Sequence, residues 1–173
     1  RASADGLNTG ASMHGEATSF GALEFAAGSR LPLCLMHMQG EPGTMQSDPR
    51  YRDVVTDVGD FLQSRMDAAL AARVGRRRLL LDPGFGFGKS LQHNLTLLKH
   101  LDRLRDLGCP LLVGMSRKSM IGAILNKPVA ERLHGSVAAA LLAATAGASI
   151  IRVHDVGPTV DALKMWQAVQ AAS

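Results

Sequence analysis

Asp82 stands where a short apolar segment runs into a glycine-rich turn with the sequence Asp-Pro-Gly-Phe-Gly-Phe-Gly-Lys. Glycine lets a backbone approach a ligand closely, and the alternating Phe85 and Phe87 are predicted to leave two aromatic faces free for stacking. A carboxylate can accept hydrogen bonds from two adjacent N–H groups at once. The turn is therefore predicted to hold a flat, polar ring.

Three further groups of polar residues follow apolar segments in the same way. They are residues 36–40 (Met-His-Met-Gln-Gly), 115–119 (Met-Ser-Arg-Lys-Ser) and 152–155 (Arg-Val-His-Asp). The carboxyl ends of parallel strands form ligand sites both in β/α barrels and in open doubly wound sheets. We therefore expect these groups to lie together with Asp82, although their placement alone leaves both folds open.

Two nucleotide-binding motifs are excluded by counting along the turn. A phosphate-binding P-loop needs a glycine where this chain has Pro83, which has no N–H to offer a phosphate. A dinucleotide-binding motif needs the spacing Gly-x-Gly-x-x-Gly, whereas the glycines here alternate with single residues.

The elements that position these residues can be predicted from periodicity. Apolar strands are predicted at 31–36, 78–81, 110–114 and 149–153, and amphipathic helices at 51–73, 91–107, 136–146 and 159–171. Strands that are apolar throughout and separated by helices indicate an α/β fold with a parallel sheet covered by helices.

Composition narrows the class of protein. The 173 residues are 46% hydrophobic, which suits one domain with an aliphatic core. No apolar run approaches the roughly 18 residues that a membrane span requires, and no signal sequence is evident, so a cytoplasmic protein is expected. Cys34 and Cys109 are expected to be buried thiols and not a disulfide. The single basic run, Arg76–Arg78, is expected to be a solvated loop, and the modest net charge of +4 favours a small anionic ligand over nucleic acid or a membrane.

Four motifs occur in the order that dihydropteroate synthases show: Leu-Met-His-Met-Gln-Gly, Leu-Asp-Pro-Gly-Phe-Gly-Phe-Gly-Lys, Gly-Met-Ser-Arg-Lys-Ser and Arg-Val-His-Asp. The chain resembles the C-terminal half of bacterial members of this family from about Gly21 onward. The resemblance implies that residues 20–173 form a partial pterin-binding domain, namely the C-terminal four β/α units (strands 5 to 8) of a (β/α)8 TIM barrel. Residues 1–19, rich in Ala, Gly and Ser, are expected to be poorly ordered.

The resemblance also implies a transferase reaction in folate biosynthesis. Members condense p-aminobenzoate with 6-hydroxymethyl-7,8-dihydropterin pyrophosphate, which yields 7,8-dihydropteroate and pyrophosphate, and sulfonamides compete for the p-aminobenzoate position. Mg²⁺ is expected to arrive with the pyrophosphate, because the sequence shows no metal-ligand spacing of its own.

The matching motifs assign roles to eight residues. The resemblance assigns pterin binding to Met36, Asp82, Gly114, Lys118 and Arg152, p-aminobenzoate binding to Phe87 and Ser116, and pyrophosphate binding to Arg152 and His154. Lys118, Arg152 and His154 are the residues expected to carry catalysis. The competing interpretations are a capping or solvated Asp82, a solvated Lys118, Ser116 as a plain helix N-cap, and Arg152 in an ion pair with Asp155.

Other functions stay open at this point. The chain could be an inactive or merely ligand-binding half-barrel, a related pterin-binding methyltransferase, or a non-catalytic homodimer of half-barrels. The family's fourth-strand motif, Ile-Asn-Asp, should fall near residues 12–16, where the sequence Ser-Met-His-Gly-Glu has no asparagine. The resemblance is therefore not expected to extend to the residues before Phe20.

Overall fold

The computed structural model describes residues 7–9 and 23–172, and these residues form an α/β fold with five parallel strands. The strands are β1 (Leu7–Thr9), β2 (Leu33–Met36), β3 (Leu79–Asp82), β4 (Leu112–Val113) and β5 (Ile150–Ile151). Hydrogen bonds join β1 to β2 to β3 and β4 to β5. A parallel bridge between Leu81 and Leu111 links the two groups, so the strands follow one another in chain order.

Helices separate the strands, as the periodicity predicts. Residues 23–28 are helical (α1), and the later helices are α2 (Val54–Ala71), α3 (Leu91–Lys99), α4 (Ser119–Leu125), α5 (Leu133–Thr145) and α6 (Val156–Ala171). Short 3-10 segments cover Arg76–Arg78, Leu101–Leu107 and Val129–Glu131. Side-chain caps start two of the helices: Asp53 accepts from the N–H of Thr56 before α2, and Ser90 forms a capping box with His93 before α3.

The four predicted strands are all present, and β1 is an additional strand. It falls within residues 1–19, where Leu7–Thr9 pair with Leu33–Leu35 of β2, and the expectation of poor order for that segment stays a prediction. The remainder of that segment lies outside the described residues. The helix predicted at 91–107 is divided at His100, where α3 ends and a 3-10 segment begins.

The core lies between the strands and α2. All four residues of β2 are buried, and α2 packs against them through the apolar positions Val54, Val55, Val58, Leu62 and Met66. Burial of these aliphatic side chains is the main contribution to the stability of this half of the fold. The same packing holds β2 and β3 in place, and with them their last residues, Met36 and Asp82.

Both cysteines lie in this interior, each 7% exposed, and neither is in a disulfide. Burial raises the pKa of the Cys34 thiol to about 12, so the group is protonated at neutral pH. The prediction of buried thiols is confirmed. Across residues 7–9 and 23–172, no helix combines the length and the apolar character needed to cross a membrane.

Candidate active site

The carboxyl ends of four strands lie side by side. Met36 and Asp82 are partners in the register of β2 and β3, and the N–H of His37 donates to the carbonyl of Asp82 at 2.9 Å. The N–H of Arg152 donates to the carbonyl of Val113 at 2.8 Å, which aligns the ends of β4 and β5. The polar groups that follow these strands are therefore brought to one edge, as predicted.

A cavity of about 340 Å³ opens at this edge. Five of the eight predicted site residues line it together with Val153, namely Gly114, Ser116, Lys118, Arg152 and His154. The lining contains two basic side chains, Lys118 and Arg152, and no carboxylate. Its chemistry suits an anionic ligand.

Asp82 is only 3% exposed, and its Oδ1 accepts from the N–H of Gly84 at 2.8 Å. Burial raises the pKa of its carboxyl group, while the Gly84 hydrogen bond and the charges of Lys118 and Arg152 act in the opposite direction. The side chain is neither solvated nor a helix cap, since Ser90 caps the following helix. Asp82 is not among the residues that line the cavity, but its carboxyl group interacts with the charges of two that are, Lys118 and Arg152.

Lys118 connects the Asp82 turn to the cavity. Its Nζ donates to the carbonyl of Phe85 and lies 4.6 Å from the centre of the Phe87 ring. A Cβ on Gly86 would lie 3.3 Å from the Lys118 Cδ, so glycine permits this close packing. Burial lowers the pKa of Lys118 to about 8, and the solvated interpretation is wrong.

Ser116 and His154 contact each other across the cavity. The backbone N–H of His154 donates to Ser116 Oγ at 3.2 Å, and His154 Nδ1 lies 3.0 Å from the same oxygen. The hydroxyl can donate its own proton to Nδ1, an arrangement in which the imidazole proton sits on Nε2. Ser116 is not a helix N-cap, because Lys118 occupies that position before α4.

Arg152 lies over Gly114, where a Cβ would come within 3.1 Å of the arginine Nε. The competing interpretation pairs Arg152 with Asp155. In the structure Asp155 instead forms an ion pair with Arg117, whose Nη2 lies 2.6 Å from Asp155 Oδ1. The interpretation of Arg152 as the partner of Asp155 is therefore wrong, and its guanidinium lines the cavity.

The two phenylalanines of the glycine-rich turn have different environments. Phe85 is fully buried in the core, so the prediction that both rings are free to stack is wrong for this residue. Phe87 is half-buried beside Lys118 and keeps part of its surface. The turn therefore offers one aromatic face.

Lys89 was not predicted as part of the site, yet it holds the turn in place. Its buried Nζ lies 2.8 Å from His37 Nδ1 and donates to the carbonyls of Gly84 at 2.9 Å and Phe87 at 3.1 Å. Burial lowers the pKa of Lys89 to about 7. The only sequence signal was its place directly after the third glycine of the turn.

His37 is expected to make the fold sensitive to acid. Burial, and then the charge of Lys89, lower its pKa from 6.5 to about 3. Between these values the unfolded chain binds a proton that the native chain does not, so lowering the pH reduces the free energy of unfolding by about 1.4 kcal/mol per pH unit from this group. Urea unfolding between pH 7 and pH 4.5 should show a flatter dependence for His37→Gln, which keeps an acceptor for Lys89.

The exposed His134 provides the matched control. His134→Gln should retain the acid dependence of the parent chain. Parallel curves for the parent and His37→Gln would contradict the assignment of a neutral, buried His37.

Comparison with known proteins identifies the family to which the chain is similar. The model of the pterin binding enzyme family matches residues 4–154. A curated dihydropteroate synthase of Haemophilus influenzae is 54% identical over 151 residues, which cover 87% of this chain and 55% of the relative. The chain thus spans about half the length of the curated relatives that it matches.

Solved structures show the same similarity. A crystal structure of Yersinia pestis dihydropteroate synthase with a sulfonamide drug complex is 53% identical, with a TM-score of 0.87 over 90% of this chain and 57% of that one. The Xanthomonas albilineans dihydropteroate synthase in complex with 7,8-dihydropteroate is 52% identical, with a TM-score of 0.82 over 88% of this chain and 56% of that one. Because the family match begins at residue 4, the expectation that the resemblance does not extend to the residues before Phe20 is wrong.

Proposed function

Since this chain belongs to the pterin binding enzyme family, we propose that it carries the pterin and pyrophosphate sites of a dihydropteroate synthase. The reaction joins p-aminobenzoate to 6-hydroxymethyl-7,8-dihydropterin pyrophosphate in folate biosynthesis. The observation that supports it most strongly is the cavity in which Lys118, Arg152 and His154 converge. The curated relative's name and the motif order favour the synthase over a pterin-binding methyltransferase.

In the proposed barrel, β2 to β5 are strands 5 to 8 and β1 is strand 4. The parallel pairing in chain order supports this assignment. Asn8 is the middle residue of β1 and lies opposite Cys34 in the register. We assign to Asn8 the fourth-strand asparagine that the resemblance implies, although the expected position was near residues 12–16.

The pterin is proposed to bind against Asp82. Its amino group and the adjacent ring N–H donate to the two carboxylate oxygens, while Lys118 donates to ring acceptors. Met36, the register partner of Asp82, and Gly114, which leaves room beside Arg152, complete the pterin contacts. The burial of Asp82 strengthens these hydrogen bonds by excluding water.

The pyrophosphate is proposed to bind at the cationic end of the cavity. Arg152 offers a planar fork of donors that suits phosphate oxygens, and His154 donates from Nε2 while Ser116 holds Nδ1. Both residues line the cavity. The leaving group is thus received by donors that are already oriented.

The p-aminobenzoate is assigned to Phe87 and Ser116. The half-buried Phe87 ring beside Lys118 offers a surface for the aromatic ring of the substrate. Ser116 is the assigned contact for the carboxylate, and when its single hydroxyl proton points to the carboxylate it is no longer donated to His154 Nδ1. Sulfonamides, as analogues of this substrate, are proposed to compete at the same place.

The proposed reaction is a substitution at the pterin methylene. The aniline nitrogen forms a C–N bond, the C–O bond to pyrophosphate breaks, and the electron pair leaves with the pyrophosphate. Arg152 and His154 stabilise the negative charge that develops there, which is the main catalytic contribution. Because an aniline is uncharged at neutral pH, no strong general base is required, and the proton lost from nitrogen passes to solvent.

The residues present do not fit a magnesium site. The cavity is lined by cations and neutral donors, and residues 7–9 and 23–172 contain no cluster of His, Cys, Asp and Glu that could hold a metal ion. Any Mg²⁺ that accompanies the substrate would be bound by phosphate oxygens. A homodimer, a cytoplasmic location and the absence of nucleic-acid partners stay predictions.

The pyrophosphate site can be tested with a pair of ligands. Isothermal titration should show that the parent chain binds the dihydropterin pyrophosphate at least about tenfold more tightly than 6-hydroxymethyl-7,8-dihydropterin, because charge-assisted hydrogen bonds to phosphate are worth about 1.5–3 kcal/mol each. Arg152→Gln should remove most of that difference, and because Arg152 is also assigned to the pterin, it should weaken binding of the unphosphorylated pterin by a smaller factor. Release of pyrophosphate after addition of p-aminobenzoate then measures turnover.

The matched control is Arg103→Gln, an exposed arginine in the 3-10 segment Leu101–Leu107. This variant should keep the preference of the parent chain. Equal affinity of the parent chain for the two ligands would contradict the proposed site. Binding without turnover would instead identify a ligand-binding half-barrel.

A further inference from the structure

Two loops that line the cavity are joined by an ion pair that lies outside it. Arg117 Nη2 donates to Asp155 Oδ1 at 2.6 Å, and Arg117 Nε donates to Oδ2 at 3.0 Å. Arg117 stands between the cavity residues Ser116 and Lys118, and Asp155 directly follows His154. Neither member of the pair has a role in the proposed function.

The backbone at Arg117 is left-handed, with φ of 58°. This conformation costs a residue with a side chain about 1–2 kcal/mol, so other contacts must hold it. The N–H of Arg117 donates to Ser136 Oγ at 2.9 Å, and its carbonyl accepts from Arg132 Nη1 at 2.9 Å. Ser136 is buried at the start of α5 and donates in turn to the carbonyl of Arg132 at 2.7 Å.

The left-handed residue sets the direction of its neighbours. Ser116 and Lys118 both line the cavity, while the side chain of Arg117 between them reaches the loop after β5. On that loop His154 contacts Ser116. The bidentate pair and the Ser116–His154 contact therefore close a ring that fixes the distance between the two loops.

We propose that Arg117 and Asp155 are positioning residues, which hold Lys118 on one loop and His154 on the other in register to receive an anionic ligand. The hydrogen bonds with Arg132 and Ser136 hold the left-handed backbone of Arg117, and Asp155 holds its guanidinium group. The binding effect rests on the proposed pyrophosphate site, whereas the positioning of the loops is independent of it.

A double-mutant cycle tests this role with inorganic pyrophosphate as the probe. Asp155→Asn and Arg117→Met should each weaken binding about tenfold, and the double variant should be no weaker than either, since both remove the same contact. Arg117→Lys, which keeps the charge but loses the bidentate geometry, should lie between. Asp161→Asn, a matched charge change at an exposed position of α6, should bind like the parent.

Amide hydrogen exchange reports the positioning without any ligand. Asp155→Asn should speed exchange of the Arg117 amide, and Arg117→Met should speed exchange of the His154 amide, each on the opposite loop. The protected amides of β2 and α2 should not change, which separates a local effect from unfolding. Unchanged exchange at both loop amides would overturn the proposal.

The cycle also separates positioning from direct contact. If Arg117 binds the anion itself, Asp155→Asn frees its guanidinium and tightens binding while Arg117→Met weakens it, and that result would overturn the proposal. If the parent chain binds no pyrophosphate, the proposed function fails at that site, and the cross-loop exchange rates alone decide the positioning role.

Discussion

Asp82→Asn is expected to weaken binding of the dihydropterin pyrophosphate by roughly 100- to 1000-fold. The variant loses the charge on two hydrogen bonds of about 1.5–3 kcal/mol each, and its amide NH₂ would face a donor of the pterin. Because burial raises the pKa of Asp82, an ionised carboxylate is a cost to the native state at neutral pH. The variant should thus be at least as stable as the parent chain.

Isothermal titration and urea unfolding, measured on the same samples, check both statements. The amide oxygen of the variant can still accept from Gly84, so the turn should keep its conformation. Asp106→Asn, at an exposed position in the 3-10 segment, is the matched control and should bind normally. An affinity of Asp82→Asn within threefold of the parent value would show that the pterin binds elsewhere.

Gly84→Ala is expected to lower the free energy of unfolding by roughly 3 kcal/mol or more. Gly84 has φ of +69°, and a Cβ there would lie 1.8 Å from the carbonyl oxygen of His37. The backbone at Gly84 and the carbonyl of His37 cannot move apart freely, because the N–H of His37 donates to the carbonyl of Asp82. Relief of the clash must therefore separate the ends of β2 and β3, which also displaces the carboxylate.

Gly75→Ala provides the control for this substitution. Gly75 has φ of −65°, and a Cβ there would meet no atom within 4 Å. Its alanine variant should be within about 1 kcal/mol of the parent, and any change should be stabilising through the unfolded chain. Urea unfolding that shows equal midpoints for the two variants would contradict the close packing of the turn on His37.

Much of the site was predictable because it depends on strand ends. The sequence predicts apolar strands at 78–81, 110–114 and 149–153, whose carboxyl ends lie at or beside Asp82, Gly114 and Arg152, and parallel strands bring such ends to one edge whatever the details of their packing. The strand β1 was not predictable in this way, because Leu7–Thr9 is too short to show a period and its neighbours are small residues.

By itself, the sequence determined the α/β class, the edge at which the site lies and the residue types that meet there. Only the tertiary structure decided which way Phe85 and Phe87 point. In a strand the two side chains would lie on the same face, and the positive φ angles of Gly84, Gly86 and Gly88 remove that regularity. It also decided that Asp155 pairs with Arg117, which is 38 residues away, and not with the nearby Arg152. Such pairing depends on how two loops fold over one another, and spacing along the chain does not encode that distance.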